Sequence, residues 1–178
     1  DDGADSIALG LGPIYDVLTD SSYTSSTYFT SIFSFTDRLK ALQPSASEQI
    51  TSLLTAQSVS GTGANGLNET NDGDIASALP VYKVANVGGS AIQLCSVDDA
   101  GYFNKLGSRA FVEFEIPATG SYSFSATEIG GVTAADPDFY IFQSGNLLHV
   151  AESGVIGSEN ASLNFTTTGT HVLMFNDW

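Results

Sequence analysis

The chain has 178 residues, 42 % of them hydrophobic, enough apolar material for one ordinary domain or two small ones. Twenty Asp and Glu against five Lys and Arg give a formal charge of −15. That balance excludes nucleic acid, which is bound through clustered Lys and Arg, and argues against anionic membrane surfaces.

Cations, Ca²⁺ first, are the natural partners of such a surface, and solubility alone is the plainer reading. No apolar run reaches the roughly 18 residues of a membrane span. The chain opens at Asp1 without Met or leader, and it is rich in Ser, Thr, Gly and Asn. It is therefore expected to be a processed piece of an exported precursor, secreted or at the cell surface. Cys95, the single cysteine, can form no internal disulfide. Its neighbours read as a strand, so a buried, inert thiol is expected.

Residues 1–60 read as helical. Ile7, Leu11, Ile14 and Leu18 recur at helical spacing, with Val17 beside them. Gly10, Gly12 and Pro13 predict a broken helix or a short one over 13–18. Residues 21–27 read as a loop ending in an N-cap at Ser25 or Ser26. The clearest helix follows, striped by Tyr28, Ile32, Phe35, Leu39 and Leu42 and widened by Phe29 and Phe33. Pro44 ends it. Ser45 with Glu48 three residues on predicts a capping box, opening a short helix with Ile50, Leu53 and Leu54 on one side. Helices this short cannot hide their apolar faces alone, so they are expected to pack on something else.

A Gly/Asn/Asp-rich linker is expected over 61–79. Beyond it the period switches to two. Residues 81–87 and 91–97 flank Gly88-Gly89, which predicts a hairpin. Residues 111–116 alternate, with Val112, Phe114 and Ile116 on one side and Phe111, Glu113 and Glu115 on the other. Residues 122–126 alternate again, and 139–142 form a nearly continuous apolar strand. Ser144-Gly145-Asn146 turns the chain into 147–151. A loop is expected over 154–160, a strand through Leu163 and Phe165, and a closing strand over 171–175. Strands about 8–12 residues apart with turn signals between them indicate an antiparallel sandwich or jelly roll. The fold class is therefore α+β: a helical region over 1–60, then a β-sandwich over 80–178.

Most chemistry lacks its motif. His149 and His171 lie on separate predicted strands, without the spacing of a zinc hydrolase and without a nucleophile elbow. Each is expected to be a half-exposed strand residue. Gly-Thr-Gly-Ala-Asn-Gly at 61–66 lacks the preceding strand and following helix of a phosphate-binding fingerprint. Twenty acids offer many carboxylate pairs for a hydrolase, and none is singled out. Calcium takes oxygen ligands, and residues 68–74 are dense in them. Aligned as an EF-hand loop, this stretch puts Leu79 where the bidentate Glu belongs, so it is not an EF-hand. A different site using Asn71, Asp72 and Asp74 stands beside the reading as a solvated polar loop. For Asp136 and Asp138, turn capping and metal binding both stand.

Three stretches carry a family resemblance. Ser108-Arg109-Ala110-Phe111-Val112-Glu113-Phe114-Glu115-Ile116-Pro117-Ala118-Thr119-Gly120-Ser121-Tyr122-Ser123-Phe124 resembles the opening of a bacterial pre-peptidase C-terminal domain. Asp136-Pro137-Asp138-Phe139-Tyr140-Ile141-Phe142 resembles that family's Asp-x-Asp-Leu-Tyr-Leu-Tyr strand, with Phe139 in place of the usual Leu. Residues 166–175 resemble its closing Gly-Thr-Tyr strand, with His171 where Tyr is usual. The resemblance covers 80–178 and leaves 1–60 outside. It implies a compact, non-catalytic jelly-roll sandwich at the C-terminal end of secreted proteases. Relatives in collagenases bind collagen and carry Ca²⁺ near the entering linker. The expectation is an accessory module of an exported protein, acting on a polymeric or protein substrate or on its parent peptidase domain. A carboxylate-based hydrolase and a structural adhesin or stalk segment are the rival readings.

Overall fold

A computed structural model of the chain describes residues 7–75, 77–95, 109–130 and 135–177. It divides into two compact units, Asp1–Tyr82 and Lys83–Trp178.

The first unit holds α1 (Leu11–Thr19), α2 (Ser21–Thr24), α3 (Ile32–Leu42), a 3₁₀ turn (Pro44–Ala46) and α4 (Ser47–Ala56). Its core is Val17, Leu39, Ala46 and Ile50, with Ile7, Leu9, Tyr23, Phe35, Leu42 and Leu54 packed around them. The stripe expected on α1 faces outward: Leu11 is 82 % exposed and Leu18 52 %, while Val17 is fully buried. The face turned inward carries Val17 and ends at Asp20, whose carboxylate pairs with Arg38 of α3 at 2.7 Å. The Arg38 guanidinium holds the Asp20 carboxyl below its usual range. Asp20 also accepts from the Ser22 amide and so caps α2, a helical turn where a plain loop was expected.

The main helix starts at Ile32, not at Tyr28, and its cap is Ser31 rather than Ser25 or Ser26. The Phe29 amide donates to the Tyr82 hydroxyl at 2.9 Å, which holds this part of the chain out of the helix. Ser31 and Ser34 form a reciprocal box: Ser34 N donates to Ser31 Oγ at 3.2 Å, and Ser31 N donates to Ser34 Oγ at 2.9 Å. The box expected at Ser45 and Glu48 is absent. Pro44 draws Ser45 into the 3₁₀ turn, and the N-cap of α4 is Ala46, with no side-chain bond.

Among the described residues seven strands in two sheets follow, the first starting at Tyr82 where the two units meet in the chain. β1 (Tyr82–Ala85), β2 (Ala110–Ile116), β7 (Gly169–Asp177), β4 (Pro137–Gln143) and β5 (Asn146–Ala151) form a five-stranded sheet in the order β1-β2-β7-β4-β5. β3 (Gly120–Thr127) and β6 (Ser158–Phe165) form the other. The pairs β2–β7, β4–β7, β4–β5 and β3–β6 are antiparallel. Among the described residues this is a five-plus-two sandwich. Its core unites Phe114, Ile116, Phe139 and Ile141 from the large sheet with Phe165, Phe124, Tyr122 and Leu163 from the small one. Burying each large side chain contributes about 1.5–3 kcal/mol. β4 lies inside the sheet between β7 and β5, with Phe139 and Ile141 fully buried. Its hairpin to β5 turns at Ser144 and Gly145, both at positive φ (48° and 77°), as a two-residue hairpin demands.

Three strand expectations change. Gly88-Gly89 does turn, with Gly89 N on Asn86 O at 2.8 Å, but 91–95 is not a strand, and 96–97 lies outside the described residues. Cys95 is accordingly exposed rather than buried. β6 begins at Ser158, inside the expected loop, because the hydrogen bond from Glu128 N to Gly157 O aligns it with the end of β3.

Candidate functional site

β3 and β6 are paired over eight residues, from Gly120↔Phe165 to Thr127↔Ser158. Side chains alternate between faces along a strand, and directly opposed residues share a face. Tyr122, Phe124, Ala161 and Leu163 therefore turn into the core. The outer face carries four cross-strand pairs: Ser121 with Asn164, Ser123 with Ser162, Ser125 with Asn160 and Thr127 with Ser158. Every one of these eight side chains is a hydroxyl or an amide. The Ser123 and Ser162 hydroxyls lie 3.1 Å apart.

Two shallow open grooves follow this ladder. One, of about 340 Å³, is lined by Ser123, Phe124, Ser125, Asn160, Ala161 and Ser162. The other, of about 400 Å³, lies at its end between Thr119, Gly120, Asn164, Phe165 and Thr166. Hydroxyls and amides donate and accept hydrogen bonds, and small side chains leave room for a ligand to lie close. The face offers no net charge to an ionic partner.

The five expected calcium ligands fall in different units. Asn71, Asp72 and Asp74 belong to the first. Asn71 Oδ1 accepts from the Gly73 amide at 3.1 Å, and its Nδ2 donates to Ser58 O. Asp72 Oδ1 accepts from the Asp74 amide at 3.0 Å. The Asn71 and Asp72 side chains build turns, and Asp74 enters through its backbone amide. Asp136 and Asp138 belong to the second unit. Asp138 is part of β4, 4 % exposed and opposite Asn176 of β7. Its position in the ladder places it on the sheet face away from the sandwich core, as Phe139 faces inward. Asn176 is 1 % exposed, and neither of its amide atoms has a hydrogen-bond partner. Among the described residues no group of three or more His, Cys, Asp and Glu is placed to hold a metal ion.

Two carboxylates that the sequence does not single out are the most engaged. Glu69 accepts from the amides of Ser60, Gly61, Thr70 and Asn71 and from the Ser60 hydroxyl. Burial pushes its pKa up, but these donors outweigh it and bring the carboxyl from 4.5 to about 2. The neighbouring glycines serve packing. A Cβ on Gly61 or Gly66 would lie 2.6 Å or 2.7 Å from the Phe33 ring, so the Gly-x-Gly-x-x-Gly stretch seats this half-buried aromatic. Glu159, 3 % exposed at the inner face of β6, accepts from Ser153 N at 2.6 Å and Asn160 N at 2.8 Å. Its carboxyl is held below the usual range by the bond from Ser153, which outweighs burial.

His149 is half-buried. His171, expected to be half-exposed, is fully buried because its place in β7 faces the core between Phe114 and Phe165. Comparison of the chain with protein-family models, curated proteins and solved structures finds no match.

Proposed function

We propose that the chain is a non-catalytic binding module of an exported protein and that its binding face is the outer side of β3 and β6. The ligand is an uncharged, hydroxyl-rich polymer, a neutral polysaccharide strand. One observation carries this reading: the eight outward positions of the β3–β6 ladder are all Ser, Thr or Asn, in a chain with 20 acidic residues. An anionic ligand finds no cation on this face, and a cationic ligand finds no carboxylate. A neutral chain of hydroxyls matches both the charge and the mixed donor and acceptor character. In this proposal the module holds such a polymer for a parent enzyme, and the resemblance to pre-peptidase domains supports a peptidase in that role.

The test is retention on insoluble cellulose, chitin and β-1,3-glucan, with bound protein measured after washing. The wild-type chain is expected to be retained on at least one of them. Ser123→Lys combined with Ser162→Lys is expected to abolish retention. Both positions are exposed, so the cost to the fold is that of two like charges facing each other across the ladder, about 0.2–1 kcal/mol. No retention on any of the three polymers, or equal retention of the double variant, overturns the proposal.

A further inference from the structure

His171 is 0 % exposed on the core face of β7. Its ring stacks on Phe114 at 5.5 Å, with 24° between the planes, and meets Phe165 edge-on at 4.9 Å. Nδ1 lies 2.8 Å from the Gly169 carbonyl oxygen. A carbonyl only accepts, so Nδ1 carries the proton of the neutral ring. Nε2 is buried and has no hydrogen-bond partner. The neutral ring leaves only a lone pair there. An imidazolium would place an unsatisfied N–H and a positive charge in the core.

The surroundings offer little compensation. From β2 the ring faces Phe114, and Glu115 is the charged group that acts on it. Glu115 is exposed and already accepts from the Thr170 hydroxyl. From β6 the ring meets Phe165, which Tyr122 of β3 also meets edge-on at 5.6 Å. Burial pushes the His171 pKa below 6.5, against the Gly169 bond and Glu115, which raise it.

We infer that His171 is an acid-sensitive latch, whose protonation loosens the packing of β7 against β6 when the surroundings acidify. A histidine depressed in the folded state binds fewer protons there than in the unfolded chain. Stability is therefore complete above the unfolded value of 6.5 and falls with pH through that value toward the folded one. The carboxylates with depressed pKa, Asp20, Glu69 and Glu159, lose their stabilising charge only at lower pH. Phe165 also lines the end groove, so the latch reaches the surface there.

The chain has two histidines, so their ring signals in NMR are assigned with one His149→Asn variant. The His171 ring is expected to titrate below 6.5. Urea unfolding of the second unit, followed by its strand amide signals, is compared at about pH 7.5 and about pH 5. Each pKa unit of depression raises the unfolding constant about tenfold once the pH lies below both values. The wild type should show that rise. His171→Phe, which keeps the ring packing without the titrating group, should not. His171→Gln serves if the phenylalanine variant does not fold. A His171 midpoint at or above 6.5, or equal pH dependence with and without the imidazole, overturns the inference. If neither variant folds, the midpoint alone decides.

Discussion

Replacing Glu69 by Gln tests whether one carboxylate organises the segment that follows α4. Gln keeps the shape and one acceptor oxygen but removes the charge that four backbone amides and a hydroxyl converge on. The folded carboxyl titrates at about 2 against an ordinary 4.5. That gap sets a ceiling of about 3 kcal/mol for the contribution of ionisation to stability at neutral pH. The loop is partly exposed to water, so screening lowers the expected effect to about 1–2 kcal/mol. The sign follows from the depressed value. The contribution is complete above 4.5 and is lost as pH falls toward 2. Urea unfolding at 222 nm reports the first unit, which holds the helices among the described residues. Glu69→Gln is expected to be less stable than wild type by about 1–2 kcal/mol at neutral pH, with the difference vanishing near pH 2. A carboxyl ¹³C titration of the wild type should show one glutamate with its midpoint well below 4. If every glutamate titrates near 4.5, or if the variant matches wild type at neutral pH, the convergence of amides on Glu69 does not exist in solution.

Ser31→Ala should cost the first unit about 0.5–2 kcal/mol by removing the α3 cap, measured by the same helical signal. Ser45→Ala should stay within about 0.5 kcal/mol, and equal costs at both serines would contradict the caps described. Phe114→Ala should destabilise the second unit by about 3–5 kcal/mol in urea unfolding, because it removes the ring that touches Phe124, Phe165 and His171 together. A loss under about 1 kcal/mol would mean that the two sheets do not share this core. Millimolar Ca²⁺ against a chelator should raise the melting temperature of the second unit. Asp138 lies opposite Asn176 in the β4–β7 ladder, and the buried amide of Asn176 has no hydrogen bond of its own. An unchanged melting temperature removes calcium from this rim.

The sandwich was legible because period-two alternation survives in the strands that build it. Val112, Phe114 and Ile116 point inward as their spacing requires, and so do Phe139 and Ile141. The helical caps were harder to read. The Ser31 box uses Ser34 where Glu or Gln is the usual signal, whereas the Ser45 pattern is present but disabled by Pro44. On α1 the apolar spacing allowed two faces, and the pair between Asp20 and Arg38, distant in sequence, marks the one turned inward. The candidate face could not be found by searching for carboxylates or histidines. Its signal was Ser123-x-Ser125 opposite Asn160-x-Ser162, ordinary polar residues whose alignment exists only once β3 and β6 are in register. Glu69 and Glu159 were hidden for a related reason. Most of their donors are backbone amides, which leave no mark in the side-chain sequence.

The neutral ladder also bears on why the chain is so acidic. Among the described residues β3 and β6 each have an edge without a neighbouring strand, and exposed edges invite pairing with other chains. Edges are commonly guarded by Lys, Pro or inward-pointing charge. β3 and β6 carry no Lys or Pro, and Glu159 of β6 is their one inward-pointing charge; in the proposed role, charge on the outer face would hold water against a neutral polymer. A net charge of −15 distributed over the rest of the chain offers the same protection at a distance, since two copies repel before their strands meet. That protection is electrostatic and so depends on salt. Raising ionic strength from about 10 mM to about 1 M shortens the screening length from about 30 Å to about 3 Å. The chain should then self-associate in light scattering at high salt, and Ser123→Lys with Ser162→Lys should suppress it by guarding the face locally. A chain that stays monomeric across this range, or associates equally with both lysines in place, separates the acidity from the protection of these strands.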